Sequence, residues 1–213
     1  MKSRKKGIAI AVVSGGLLLV AGLIAIAYFM DNNNRNNTVK PAENVLEISE
    51  DYKPPPEQTL NDNIYKKEIR IVNNGNAPCY IRVYADFSDS SVRSRSYLSN
   101  DWDEVTNAGN FYKAERNLTD SETYAANLGT AAPEWDFVSD DDTTPLAGYY
   151  YYKERVAPGA STEPLFTYVK TRNTSDEEIQ QYDILVYSES VQITGMDGRV
   201  YNDYRDAWQD KLK

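Results

Sequence analysis

The feature that most restricts this chain is an uncharged, almost wholly apolar run from Gly7 to Met30, directly behind Met1-Lys2-Ser3-Arg4-Lys5-Lys6. So continuous a stretch lacks the polar face that a helix of a soluble core needs. It separates a leader from a remainder that must fold by itself. A basic n-region, an apolar core and small residues, Ala25 and Ala27, just before Tyr28 form the pattern of an export signal recognised by a signal peptidase. The run is also long enough to cross a bilayer as a retained N-terminal hydrophobic helix, which needs about 20 residues. The Ala25/Ala27 pair and the switch to Asp31-Asn32-Asn33-Asn34 favour cleavage, whereas the length of the run favours an anchor. Both readings put the residues after Tyr28 outside the membrane, because the charges of the n-region are all basic. The expected organisation is a signal peptide or transmembrane anchor over 1–27, a polar flexible arm over 28–44 and one folded domain over 45–213.

The chain carries −9 at neutral pH. Lys2, Arg4, Lys5 and Lys6 are the leader's only charges, so the remainder carries −13. Such an acidic surface argues against nucleic acid and against anionic lipid headgroups as partners. There is no histidine, which excludes histidine-ligated zinc, Ser-His-Asp and Cys-His catalysis and histidine general bases. Cys79 is the only cysteine, so no intramolecular disulfide forms and the fold must rest on core burial. In Cys79–Phe87 the odd positions are apolar and the even ones mostly polar, which reads as a strand with Cys79 on its inner face.

Val45-Leu46-Glu47-Ile48 reads as a short strand, and Pro54-Pro55-Pro56 as a stiff extended connector. Tyr65–Val72 alternates with period 2, with Tyr65, Lys67, Ile69 and Ile71 on one side. With the turn residues Asn73-Asn74-Gly75-Asn76 and the strand Cys79–Phe87 it predicts a β-hairpin. Residues 88–145 are rich in Asn, Asp, Ser and Thr and punctuated by Trp102, Phe111, Tyr112, Trp135 and Phe137. They read as an insertion with short helical pieces, Ser121–Leu128 among them. Strands are predicted at Tyr149–Lys153, at Pro164–Val169 and within Gln180–Thr194. Tyr204, Ala207, Trp208 and Leu212 have the spacing of a short amphipathic helix within Tyr201–Leu212. Strands with turn punctuation and little strand–helix alternation give a mainly β chain, an antiparallel sandwich.

Motifs for chemistry are scarce. There is no His-Glu-x-x-His, Gly-x-Ser-x-Gly, phosphate-cradling glycine loop or Cys-x-x-Cys, so no catalytic, cofactor-binding or metal-ligating set is expected. Asp140-Asp141-Asp142 and Asp101/Asp103/Glu104 offer hard oxygen ligands but lack the alternating loop that fixes calcium geometry, and read as solvated loops. Asn117-Leu118-Thr119 and Asn173-Thr174-Ser175 match the glycosylation acceptor pattern. The chain has 17 tyrosines, four of them consecutive at Tyr149–Tyr152. On a strand, Tyr149 and Tyr151 face one side and Tyr150 and Tyr152 the other. Either the strand is buried on both sides, or one pair, Tyr150 and Tyr152, presents an interface.

These pieces, in order, resemble the TasA/camelysin family of exported Gram-positive proteins. The resemblance is carried by Ala25-Ile26-Ala27-Tyr28-Phe29-Met30-Asp31; by Thr38-Val39 with Val45-Leu46-Glu47-Ile48; and by Lys67–Asn76 with Cys79-Tyr80-Ile81-Arg82-Val83. It continues through Gly148–Lys153, Ala157-Pro158-Gly159, Pro164-Leu165-Phe166 and the closing Tyr204-Arg205-Asp206-Ala207-Trp208, and skips residues 88–145. It implies a leader cut by a dedicated signal peptidase and a jelly-roll-like β-sandwich at the cell surface. It also implies self-association with copies or other matrix proteins, since some relatives build fibres by donating an N-terminal strand. Here that strand would be Val45, Leu46 and Ile48, behind a polar arm longer than in the fibre-forming pattern. One family member is described as a metalloprotease, an activity for which this histidine-free chain lacks the usual ligands. The expectation is an exported, non-enzymatic surface or biofilm-matrix structural protein, possessing no cofactor. The alternative is a membrane-anchored binding module or adhesin.

Overall fold

Period-2 alternation becomes two antiparallel sheets in the computed structural model of the chain, which describes residues 44–53 and 58–213. The leader with Ala25, Ala27 and Tyr28, the arm before Asn44 and the Pro54–Pro56 connector lie outside the described residues. Among the described residues no helix is long and apolar enough to cross a membrane.

In chain order the strands are β1 (Leu46–Tyr52), β2 (Asn61–Asn73), β3 (Cys79–Phe87), β4 (Ser96–Ser99), β5 (Tyr112–Lys113), β6 (Trp135–Phe137), β7 (Tyr150–Tyr152), β8 (Tyr168–Asn173) and β9 (Ile184–Gln192). Three short helices accompany them: α1 (Ser90–Ser94), α2 (Leu128–Ala131) and α3 (Tyr204–Lys211). One sheet has the order β1-β2-β8-β4-β5 and the other β6-β7-β3-β9. Tyr65, Ile69 and Ile71 of β2, Leu98 of β4 and Val169 of β8 share one buried cluster with Ile81, Val83 and Phe87 of β3, Trp135 and Phe137 of β6, and Tyr150 and Tyr152 of β7. The arrangement is β-sandwich-like. Cys79 belongs to the same cluster, fully buried, and burial pushes its thiol up to about 11, so it stays protonated at neutral pH.

The hairpin expected from Tyr65–Phe87 does not form. β2 pairs with β1 and β8, and β3 with β7 and β9, so the Asn73–Pro78 turn carries the chain from one sheet to the other. Neither Asn74 nor Gly75 takes the positive φ that a tight hairpin turn requires. Instead the buried Asn73 pins the crossing. Its amide donates to the Ala77 and Val156 carbonyls at 2.9 Å each, and its Oδ1 accepts from Gly75 N at 3.0 Å. Alternation fixes which face of a strand is buried, not which strand lies beside it.

Residues 88–145 are likewise not an appended insertion. They supply β4 and β5 to one sheet and β6 to the other, and the helical piece runs from a 3-10 turn at Ala125–Asn127 into α2. Arg116 fixes this segment. Buried beneath the surface, it donates to the Ala85 carbonyl at 2.7 Å, to the Gly148 carbonyl, and to both carboxylate oxygens of Asp140 at 3.0 and 2.9 Å. Gly148 has φ +81°, and a Cβ there would lie 2.8 Å from Asp140 Oδ1, so the approach requires glycine.

β7 is buried on both faces, which corrects the interface expectation for Tyr150 and Tyr152: they are 3% and 8% exposed, inside the inter-sheet core. Tyr151 points the other way into a second cluster with Tyr80, Val191, Tyr201, Tyr204, Ala207 and Trp208. That cluster exists because α3 lies on the outer face of the four-stranded sheet. Asp203 caps the helix by accepting from Asp206 N at 2.9 Å, and Tyr204, Ala207 and Trp208 form its buried stripe.

Replacing Trp208 with alanine is expected to cost about 3–5 kcal/mol in chemical denaturation, because it empties the layer between α3 and the sheet. Burial pushes the Tyr150 hydroxyl up to about 12, whereas in the unfolded chain it ionises near 10. Its neutral form therefore supports the fold fully below pH ~10, and that support is lost as pH rises through about 12. Tyr150→Phe is expected to flatten this alkaline loss, read as denaturation midpoint against pH.

Candidate assembly surface

Each sheet ends in one long and one short strand. β5 and β6 are short ends, whereas β1 and β9 are the long ones. An unpaired long edge is a template for another strand, so natural sheets keep edges short or charged. β1 and β9 run close together at the same side of the sandwich without a ladder between them. Leu46 and Ile48 of β1 and Ile184 and Val186 of β9 are half-buried against the common core there.

β1 is held by β2 in an unbroken register from Leu46↔Asn73 to Tyr52↔Lys67. Val45 precedes it, 42% exposed, with its carbonyl accepting from Asn74 N at 2.8 Å. Of the sequence-predicted residues, Leu46 and Ile48 lie on this strand and face inward, and Val45 lies just before it. Half-burial of two aliphatic side chains is worth about 1 kcal/mol each. The pairs Lys66–Asp51 at 2.5 Å and Lys67–Glu50 at 2.7 Å are exposed enough to add only about 0.2–1 kcal/mol each. Most of the hold on β1 is thus its ladder with β2, a contact that any identical β2 reproduces.

β9 was not marked by the sequence as an edge. Its run Ile184-Leu185-Val186-Tyr187 is apolar on both faces, yet Leu185 and Tyr187 are each 53% exposed on the outer face beyond α3. The signal was the absence of lysine and proline, the usual guards of an edge. The acidic loops are not brought together as ligand sets: among the described residues no three acidic or cysteine side chains converge. Asp140 is held by Arg116. The Val105 and Thr106 amides hold the Asp103 carboxyl below its usual value, and Thr144 does the same for Asp142. Asn173 of the second acceptor triplet is buried, and Asn117 of the first is exposed.

Fold and surface define a class: an antiparallel, sandwich-like domain with two long adjacent end strands. No protein-family model, curated protein or solved structure matches the chain.

In hydrogen exchange, the β1 amides that face β2 are expected to open at lower free energy than those of Ile81 and Val83 in the centre of the other sheet. Equal protection would make β1 an integral strand rather than a detachable one.

Proposed function

We propose that this chain is an exported, non-enzymatic structural protein of the cell surface or extracellular matrix, which self-associates by exchanging its N-terminal strand. The observation that carries this reading is β1: among the described residues it pairs along one edge with β2, has no strand along the other, and lies beside β9, the end strand of the second sheet. Adding a strand to an exposed edge is an established mode of association, because the ladder supplies affinity and the alternating side chains supply register. The arm over 28–44 supplies reach.

Sheet order supports a jelly-roll reading. The chain changes sheet from β2 to β3, β3 to β4, β5 to β6, β7 to β8 and β8 to β9. The ordered motifs resembling the TasA/camelysin family favour the same conclusion, as does the leader that a dedicated signal peptidase would cut at Tyr28. The length of the apolar run favours a second reading, in which the leader stays in the membrane and the domain acts as a tethered surface module or adhesin.

Ser49 and Arg70 are register partners on β1 and β2, and directly opposed residues, about 4.5–5.5 Å apart at Cα, are within disulfide range. Chain beginning at Tyr28 and carrying Ser49→Cys with Arg70→Cys is expected to form concentration-dependent fibres when reduced and to stay monomeric when oxidised, by electron microscopy and light scattering. Identical assembly in both states removes strand exchange. N-terminal sequencing of protein from the host separates the two readings: a start at Tyr28 in the medium supports the subunit, and intact Met1 confined to membranes supports the tethered module.

A further inference from the structure

Where β1 ends, four side-chain hydroxyls stand in a row: Ser96 Oγ to Thr171 Oγ1 at 2.9 Å, Thr171 Oγ1 to Tyr182 Oη at 2.8 Å, and Tyr182 Oη to Tyr65 Oη at 2.6 Å. Each hydroxyl has one proton to donate and the row has three links, so one of the four protons points out of the row. Ser96 is fully buried, and an unpaired O–H there would cost about 1–3 kcal/mol. At the other end, Tyr65 and Tyr182 line a polar cavity of about 380 Å³. A row directed from Ser96 through Thr171 and Tyr182 leaves its last proton on Tyr65, beside the cavity.

The other walls match that donor. Tyr52, half-exposed, meets the Tyr65 ring edge-on at 6.0 Å and supplies an aromatic surface. Gln58, Gln181 and Asp183 supply amide and carboxylate groups. Among the described residues neither the Gln181 amide nor the Asp183 carboxylate has a hydrogen-bond or ion-pair partner. Among the described residues no cation lines the cavity, and Lys67, 5.1 Å above the Tyr52 ring, is already paired with Glu50. A volume of this order lies in the range of small-ligand sites, which starts at about 300 Å³. The lining is too polar for an apolar ligand, and Asp183 repels an anionic one.

We propose that this cavity is a subsite for one residue of a neutral polysaccharide. Tyr65 donates to a sugar hydroxyl, Asp183 and Gln181 accept from others, and the apolar face of the ring lies on Tyr52. Thr171 and Ser96 are positioning residues that set the direction of the Tyr65 proton without touching the sugar. The cavity lies within one chain and goes beyond the assembly reading.

The test is titration of the isotopically labelled full chain, in a sugar-free zwitterionic detergent, with neutral glucose and N-acetylglucosamine oligomers and with anionic polygalacturonate. Amide resonances of Tyr52, Tyr65, Gln181 and Asp183 are expected to shift saturably with a neutral oligomer and not with polygalacturonate. Tyr65→Phe keeps the ring and is expected to weaken binding about tenfold, the size of one lost hydrogen bond. Gln181→Ala, on an exposed position, gives a second variant if Tyr65→Phe fails to fold. Thr171→Val is expected to weaken binding several-fold although it makes no ligand contact, a readout that a purely structural role at the cavity wall would not move. No shift with any neutral oligomer up to its solubility, tighter binding of polygalacturonate, or unchanged affinity in the folded variants would overturn the proposal.

Discussion

One buried guanidinium ties together four elements. Arg82 projects from the outer face of β3, lies 3.9 Å from the Tyr149 ring and 4.4 Å from that of Trp208 on α3, and bonds to Glu189 on β9 and Tyr151 on β7. A charge taken out of water is costly unless every donor is answered. Here two aromatic faces, a carboxylate and a phenol answer it together. That requirement explains why a chain with neither disulfide nor metal cluster among its described residues has an ordered outer layer. α3 cannot leave without exposing the faces of Arg82 and Tyr151, and β9 cannot shift register without losing Glu189 opposite Arg82. Arg116 plays the corresponding part at the other end of β3.

With so much of the hold placed on β3 and its neighbours, the opposite side of the sandwich is lightly held. Sheets that close into barrels abolish their edges; this one leaves β1 and β9 adjacent and unjoined. Their inward residues seal the core, yet their outward hydrogen-bonding groups find no strand. Under the proposed strand exchange the asymmetry would divide the labour, with central strands carrying the stability and edge strands the association. The strong acidity of the chain tempers the exposed edges, because like-charged copies approach slowly unless a specific ladder forms.

Sequence patterning revealed faces better than neighbours. The odd residues of Cys79–Phe87 and Tyr65, Ile69 and Ile71 do point into the core, and the Tyr204/Ala207/Trp208 spacing does make a helix, because both signals arise from local geometry. The β2–β3 hairpin failed because pairing depends on a crossing fixed by Asn73, whose partners Ala77 and Val156 include one far along the chain. The tyrosine run was legible as a strand, but its second buried face depends on α3, some fifty residues later. Segment 88–145 hid its strands because β5 and β6 are too short to show a period. Val45, Leu46 and Ile48 were visible as a strand. The edge character of β9 was not, since alternation says nothing of what lies beside a strand. The hydroxyl row was beyond reach altogether, joining Tyr65, Ser96, Thr171 and Tyr182 from four separate segments.

β1 ends in Tyr52, and Tyr52 is part of the cavity wall. A strand that moves between chains takes this ring with it, so every exchanged copy would complete its cavity with a neighbour's tyrosine. An occupant touching that ring then bridges two chains. By linkage, whatever affinity the seated strand adds for the occupant, the occupant returns as adhesion of the strand. Under the two proposals together, cohesion of an assembly and saturation of the cavity would become one equilibrium, and such a material would stiffen or loosen with the glycan content of its surroundings.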